Sequence, residues 1–246
     1  MTNITLSEAR GVRSLHFGSP WIQGAMRIAR PYALEVEYTR ELMLPLLLRD
    51  DPEWPRKVLQ VGLGAASVTK FLWKQRPACR QVVVEISPEV VAVARAHFKL
   101  PEDERVRIEV ADGADWMATA KGRFDLIVVD GFDELGRAGM LDSVPFYCNA
   151  ASRLAKDGML AVNFLTRRKS AAPSVNRLKE AFEGRVLELP PSEAGNVVAV
   201  AATGRAMPLD IVELRAAGAR LKAATGLDLA PTLSRIEPFC ASAGPL

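Results

Sequence analysis

Lys57-Val58-Leu59-Gln60-Val61-Gly62-Leu63-Gly64-Ala65-Ala66-Ser67 carries a short apolar run into two glycines and then into helical spacing through Trp73. The pattern reads as a buried strand, a tight turn and the start of a helix. Glycines at such a turn let a ligand approach the backbone, and the helix N-terminus offers unpaired N–H groups. A Gly-x-Gly alone is weak, because glycine often serves only to turn a chain. Its partner is Gln81-Val82-Val83-Val84-Glu85, a second apolar strand ending in a carboxylate 21 residues after Gly64. An acidic residue at that place can bind the two hydroxyls of a ribose. Together the two stretches point to a nucleoside-containing ligand.

Downstream the alternation continues. Ser87 is a fair N-cap with Pro88 at the first helical position, and a helix is expected over Glu89–Phe98. Strands are expected over Val106–Val110, closed by Asp112-Gly113, and over Phe124–Val129, ending in Asp130. A helix over Pro145–Leu154, a turn at Lys156-Asp157-Gly158 and a strand over Met159–Phe164 follow. Val175–Phe182 reads as helix, Arg185–Leu189 and Asn196–Ala202 as paired strands, and Leu209–Ala224 as a surface helix. The expected fold is α/β: a doubly wound, mostly parallel Rossmann-like sheet.

Upstream, residues 1–19 show no clear periodicity. Trp21–Ile28 and Tyr32–Tyr38 read as a small β-hairpin turning at Pro31, and Tyr38–Leu48 as a helix with Pro45 near an end or a kink. Asp50–Pro55 is a polar linker. The expected division is an N-terminal hairpin and helix region, 1–50, and a nucleoside-binding catalytic domain with a C-terminal helix, 51–246.

Composition narrows the function classes. Of 246 residues, 49% are hydrophobic and 25% charged, which suits a globular protein with a substantial core. A net charge of +3 without a long basic run does not indicate nucleic-acid binding. Cys79, Cys148 and Cys240 are widely spaced and suit isolated thiols in a reducing compartment. No apolar run reaches the roughly 18 residues of a membrane span, and no signal-peptide pattern opens the chain, so a cytoplasmic location is expected. No His/Cys/carboxylate cluster has metal-ligand spacing, so no metal is expected. His97, on a helix away from the strand ends, and His16 read as structural or surface residues. The tryptophans read as packing residues, although Trp116 follows Asp112 closely enough to line an adenine site.

Open α/β sheets bind ligands beyond the carboxyl ends of their strands. Gly62/Gly64, Glu85, Asp112 and Asp130 all fall at such ends. A single aspartate there often only caps a turn; four polar markers together favour a site.

These residues carry a resemblance. Val58–Gly64, Val84-Glu85-Ile86-Ser87 and Asp112-Gly113 are similar to the class I S-adenosylmethionine-binding fold. Phe124–Asp133, Phe146-Tyr147 and Leu154–Gly158 narrow the likeness to the spermidine synthase (polyamine aminopropyltransferase) family, over roughly residues 20–204. The resemblance implies aminopropyl transfer from decarboxylated S-adenosylmethionine to a small-molecule amine, with S-adenosylmethionine as the alternative donor. It implies that Glu85 holds the ribose, that Asp112 lies by the adenine, and that Gly62, Gly64, Ile86 and Gly113 complete the donor site. Asp130 is then the carboxylate that assists the amine nucleophile, and Asp133 helps to bind the polyamine. Gln23, on the donor side, and Tyr38, on the substrate side, match the family's N-terminal motifs loosely. A homodimer stays open.

The chain also departs from the family. Ala65 stands where the family has an aspartate near the aminopropyl group. Thr39 and Arg40 replace a histidine and a glutamate, and Gly131-Phe132-Asp133-Glu134 replaces a Ser-Asp-Pro pattern. Two further readings draw on these departures: a small-molecule methyltransferase, although Gln60 stands where such enzymes usually carry an acidic residue, and a non-catalytic nucleoside-binding relative.

Overall fold

The computed structural model describes residues 4–18, 20–133, 136–166, 170–192, 194–240 and 246. The glycine loop follows the third strand of a seven-stranded sheet of order β6-β5-β4-β7-β8-β10-β9. β4 (Lys57–Val61), β5 (Arg80–Glu85), β6 (Val106–Val110), β7 (Phe124–Val129) and β8 (Leu154–Leu165) run parallel. β9 (Val186–Glu188) and β10 (Asn196–Ala202) complete the sheet antiparallel. The chain winds outward from β4 through β5 to β6, then returns to β7 on the other side. That reversal opens a crevice between the carboxyl ends of β4 and β7, where doubly wound sheets bind ligands.

Helices α3 (Ser67–Gln75), α4 (Pro88–His97), α5 (Gly113–Thr119), α6 (Val144–Arg153) and α7 (Ala172–Ala181) alternate with these strands. Their starts follow local chemistry. Ser87, Asp112 and Ser143 accept backbone N–H bonds from the first turns of α4, α5 and α6. The expected turn at Lys156-Asp157-Gly158 is an irregularity inside β8, where the register against β7 shifts.

The N-terminal region differs from expectation. Residues 1–19 show no clear periodicity, yet Ile4–Ala9 (β1) and Val12–Phe17 (β2) form a hairpin around Arg10-Gly11, both at positive φ (50° and 73°). Gly24–Arg27 (β3) pairs with β2 rather than with a strand after Pro31. Residues 32–36 form no strand, and the chain turns into α1 (Glu37–Glu41) and α2 (Leu44–Arg49), with Pro45 in the first turn of α2. Leu34, Tyr38 and Leu42, four residues apart, are buried together, which is helical rather than strand spacing.

Two apolar layers sandwich the sheet. On one face Val58, Val128, Ala161 and Val198 pack with Leu42 and Leu46 of α1–α2 and with the C-terminal helices α8 (Ile211–Thr225) and α9 (Ala230–Cys240). On the other, Ile127, Val129 and Leu160 meet Phe146 and Tyr147 of α6 and Leu178 of α7. α9 has no counterpart in the sequence reading. α8, expected as a surface helix, buries Leu214, Ala217, Gly218 and Leu221. A Cβ on Gly218 would lie 3.3 Å from both Leu47 and Leu233, so glycine sets how closely α8 approaches α2 and α9. Arg235 of α9 reaches back to Glu37 at 3.0 Å and also pairs with the buried Glu41, tying α9 to α1. Among the described residues no helix is long and apolar enough to cross a membrane.

Candidate active site

The glycine loop and Glu85 form one unit. Glu85 is 8% exposed, and each carboxylate oxygen accepts a backbone N–H: Leu63 N at 2.8 Å on Oε2 and Ser87 N at 3.0 Å on Oε1. One side chain thus locks the Gly62-Leu63-Gly64 turn to the loop after β5, while its remaining lone pairs stay available to hydroxyl donors. Gln60 braces the same turn from below: its Nε2 donates to Gly62 O (2.7 Å) and its Oε1 accepts from Thr69 (2.8 Å). This explains a neutral amide where an acid was the comparison.

Gly62 is a steric requirement. Its φ is 91°, and a Cβ would lie 2.2 Å from the Asp130 carbonyl oxygen. Gly62→Ala is therefore expected to lower unfolding free energy by about 2–4 kcal/mol. Gly122→Ala, at φ 90° with nothing within 4 Å, should lose only about 1 kcal/mol. Urea denaturation of the two variants separates steric clash from backbone strain.

The adenine-side expectations are placed as follows. Asp112 Oδ1 accepts from Ala114 N (2.8 Å) and Asp115 N (3.1 Å), so this carboxylate caps α5. Gly113 packs so closely on the end of β4 that a Cβ would meet Val61 Cγ1 at 2.4 Å. Ile86, just after β5, is 66% exposed, and Val110, opposite Glu85 at the end of β6, is 55% exposed, so both strand ends carry exposed apolar residues. Trp116 instead tilts against Phe124, with ring centroids 6.4 Å apart, as a packing residue. The turn Gly139–Asp142 closes over this end: Leu141 lies against Gly113 and Gly131, and Asp142 is held by Tyr147 (2.9 Å), Ser174 (2.7 Å) and Arg177.

Asp130 stands across the crevice from Glu85. Its Oδ1 accepts from Asn163 Nδ2 at 2.8 Å, and it accepts a second hydrogen bond from the Tyr38 hydroxyl. Burial pushes its carboxyl up to about 6; the two hydrogen bonds pull the other way and the Glu85 charge adds to the rise. Tyr38 sits well above the usual phenol range, through burial first and the Asp130 charge second, so it remains a donor. Thus α1 delivers Tyr38, and β8 delivers Asn163, to the same carboxylate.

The N-terminal sheet covers the glycine loop. Gln23 O lies 3.5 Å from where a Gly64 Cβ would be, and Gln23 Nε2 is buried without a hydrogen-bond partner. An orphaned buried donor beside the loop suits a polar ligand atom there. Ala65 faces this sheet rather than the crevice: it packs with Leu15, Met26 and Phe98, and a Cβ on Gly24 would meet its own at 2.7 Å. Ala65 itself is buried.

Asp133 is bound up with its own loop. Arg137 donates to it from Nε (2.7 Å) and from the backbone (2.8 Å), and the pair is exposed. The neighbouring Glu134 lies outside the described residues. Thr39 is buried and donates to Val36 O (2.6 Å), while Arg40 donates to Glu35 O (3.0 Å), so both residues shape the entry to α1. Asn163 and Asn196, given no role in the sequence reading, are the functional candidates that it missed. Their signal was visible: each is an amide within or at the start of an otherwise apolar run, over residues 159–165 and 196–202. Among the described residues no group of three His, Cys, Asp or Glu could hold a metal ion.

Comparisons with known proteins bear on this crevice. A family model described as Spermine/spermidine synthase domain matches residues 37–182. The chain is 36% identical to the polyamine aminopropyltransferase of Chromobacterium violaceum over 238 residues, covering 96% of this chain and 90% of that one. The crystal structure of a probable spermidine synthase from Corynebacterium glutamicum superposes with a TM-score of 0.75 at 20% identity, over 98% of this chain and 91% of that one. A spermidine synthase in complex with the transition-state analogue AdoDATO gives 0.60 at 22% identity, over 82% and 74%. These two structures speak to the fold alone.

Proposed function

The chain belongs to the spermine/spermidine synthase family, and from that membership we propose that it moves the aminopropyl group of decarboxylated S-adenosylmethionine onto a small diamine at the crevice between β4 and β7. It is an aminopropyltransferase; methyl transfer and a silent, binding-only role are not favoured. The observation that carries the residue assignment is Asp130: a carboxylate at a strand end, facing Glu85 across the crevice and held by Tyr38 and Asn163.

In this reading the donor's ribose hydroxyls bind Glu85, its adenine lies on Ile86 and Val110 near the Asp112-Gly113 turn, and Gln23 and the Gly62–Gly64 loop close the donor side. The acceptor amine enters beside Asp130 and Tyr38, and Asp133 attracts its distal ammonium. Only a neutral amine nitrogen has the lone pair that attacks the methylene carbon next to sulfur. Asp130 takes the proton from that nitrogen, the new C–N bond forms, and the C–S bond breaks with its electrons going to sulfur. The sulfonium becomes the neutral thioether methylthioadenosine. Its positive charge is lost as the bond breaks, so no separate acid is required. Alignment of nitrogen, carbon and sulfur supplies much of the remaining acceleration.

Incubation with the decarboxylated donor and putrescine should release methylthioadenosine, and S-adenosylmethionine should be a far poorer donor. Absence of product with every one of several diamines, while the nucleoside still binds, would overturn the catalytic reading.

A further inference from the structure

On the sheet face that packs against α1, three strands end in a polar row. β7 runs Leu126 and Val128 and then reaches Asp130; β8 runs Met159 and Ala161 and then reaches Asn163; β10 begins at Asn196 before Val198. Asn163 stands opposite Val198 and Asn196 opposite Leu165, so the two amides are diagonal neighbours on one face. Asn196 Nδ2 donates to Asn163 Oδ1 at 2.9 Å, and Asn163 Nδ2 donates to Asp130 Oδ1 at 2.8 Å. Both asparagines are nearly fully buried, at 6% and 4% exposure.

An asparagine amide has a donating end and an accepting end, and local shape alone hardly distinguishes them. If the Asn163 amide turned over, its oxygen would face the Asp130 carboxylate and its NH₂ would face the NH₂ of Asn196. Both contacts would be repulsive. The backbone of Asn196 is itself anchored, because Asn196 N donates to Ser192 Oγ (3.1 Å) and Ser192 N donates to Asn196 O (2.8 Å). We infer that Asn196 is a positioning residue, fixing the Asn163 amide so that it donates to Asp130 and holds that carboxylate ionised and aimed at the acceptor amine. This rests on the reading of Asp130 as the proton acceptor.

The titratable groups facing Asp130 among the described residues are Tyr38 from α1 and Glu85 at the end of β5. Tyr38 donates to it and Glu85 repels its charge, so the amide relay adds to the first influence and opposes the second. Without an oriented donor at Asn163 the ionised form of Asp130 loses support, and a higher pH is required to reach it.

The test is the pH profile of Asn196→Leu, Asn163→Leu and the double variant. The acid limb of kcat/KM should move upward by about one pH unit in each single variant, with the rate recovering at higher pH and donor affinity unchanged. The double variant should show no further shift, because the two residues act in series. A uniform loss of rate at every pH, or shifts that add in the double variant, would overturn the relay. An isotope-edited NMR titration of the Asp130 carboxyl carbon in wild type and in Asn196→Leu needs no turnover. A titration midpoint shared by both proteins rejects the relay, whereas a shifted midpoint in a protein that makes no methylthioadenosine rejects only the catalytic reading.

Discussion

Replacing Asp130 by Asn should slow aminopropyl transfer about 10²–10⁴-fold, the range expected when a positioned general base is lost. Donor affinity should stay within about twofold, because a proton-accepting role matters only as the amine attacks. Wild-type kcat/KM should fall as pH drops through about 6, the value to which burial pushes the Asp130 carboxyl, and this limb should vanish in the variant. Stability should move the opposite way. A carboxyl whose value is raised by folding contributes no penalty below its unfolded value near 4. The penalty grows between about 4 and 6 and stays constant above. A rise from the usual value near 4 to about 6 corresponds to about 3 kcal/mol, so Asp130→Asn should gain about 1–3 kcal/mol above pH 6 and nothing below pH 4. Asn retains an oxygen for Asn163 and turns its NH₂ toward Tyr38, whose hydroxyl can accept. Single-turnover kinetics and denaturation at two pH values check both parts. A variant that loses donor binding along with rate removes Asp130 from the role of base.

Glu85→Gln should weaken donor binding by about 1.5–3 kcal/mol, or roughly 10- to 150-fold in affinity. Two effects combine in this figure. In the proposed pose the ribose loses a charged acceptor. In the free protein both Glu85 oxygens already accept backbone N–H groups, from Leu63 and Ser87, and a glutamine must turn its NH₂ toward one of them. The glycine loop is thereby loosened before any ligand arrives. At saturating donor, turnover should remain within about tenfold of wild type, since ribose contacts are alike in ground and transition states. Calorimetry with the donor or with methylthioadenosine measures the affinity. Unchanged binding would show that Glu85 serves only to hold the loop.

The two variants contrast the group proposed to bind with the group proposed to react. The structure adds that neither acts alone, for Glu85 is built into the backbone of the glycine loop and Asp130 into a row of amides. The departure at Ala65 is likewise resolved by packing, because that position points into the N-terminal sheet.

Sequence alone determined the alternation of strand and helix from β4 to β8, the helix cap at Ser87 and the place of Pro45 near a helix end, because periodicity and capping are properties of neighbouring residues. It also placed Gly62, Gly64, Glu85 and Asp130 at strand ends, since each closes an apolar run. What it did not contain was the partner of each strand and the direction of each side chain. β1 and β2 were illegible because short exposed strands carry little alternation, and their pairing with β3 is a contact across the chain. The meeting of Tyr38 with Asp130, the relay through Asn163 and Asn196, and the docking of α9 by Arg235 on Glu37 and Glu41 join residues tens to nearly two hundred positions apart. Only close packing of the folded core brings such groups within hydrogen-bond distance and leaves one orientation in which their donors and acceptors match.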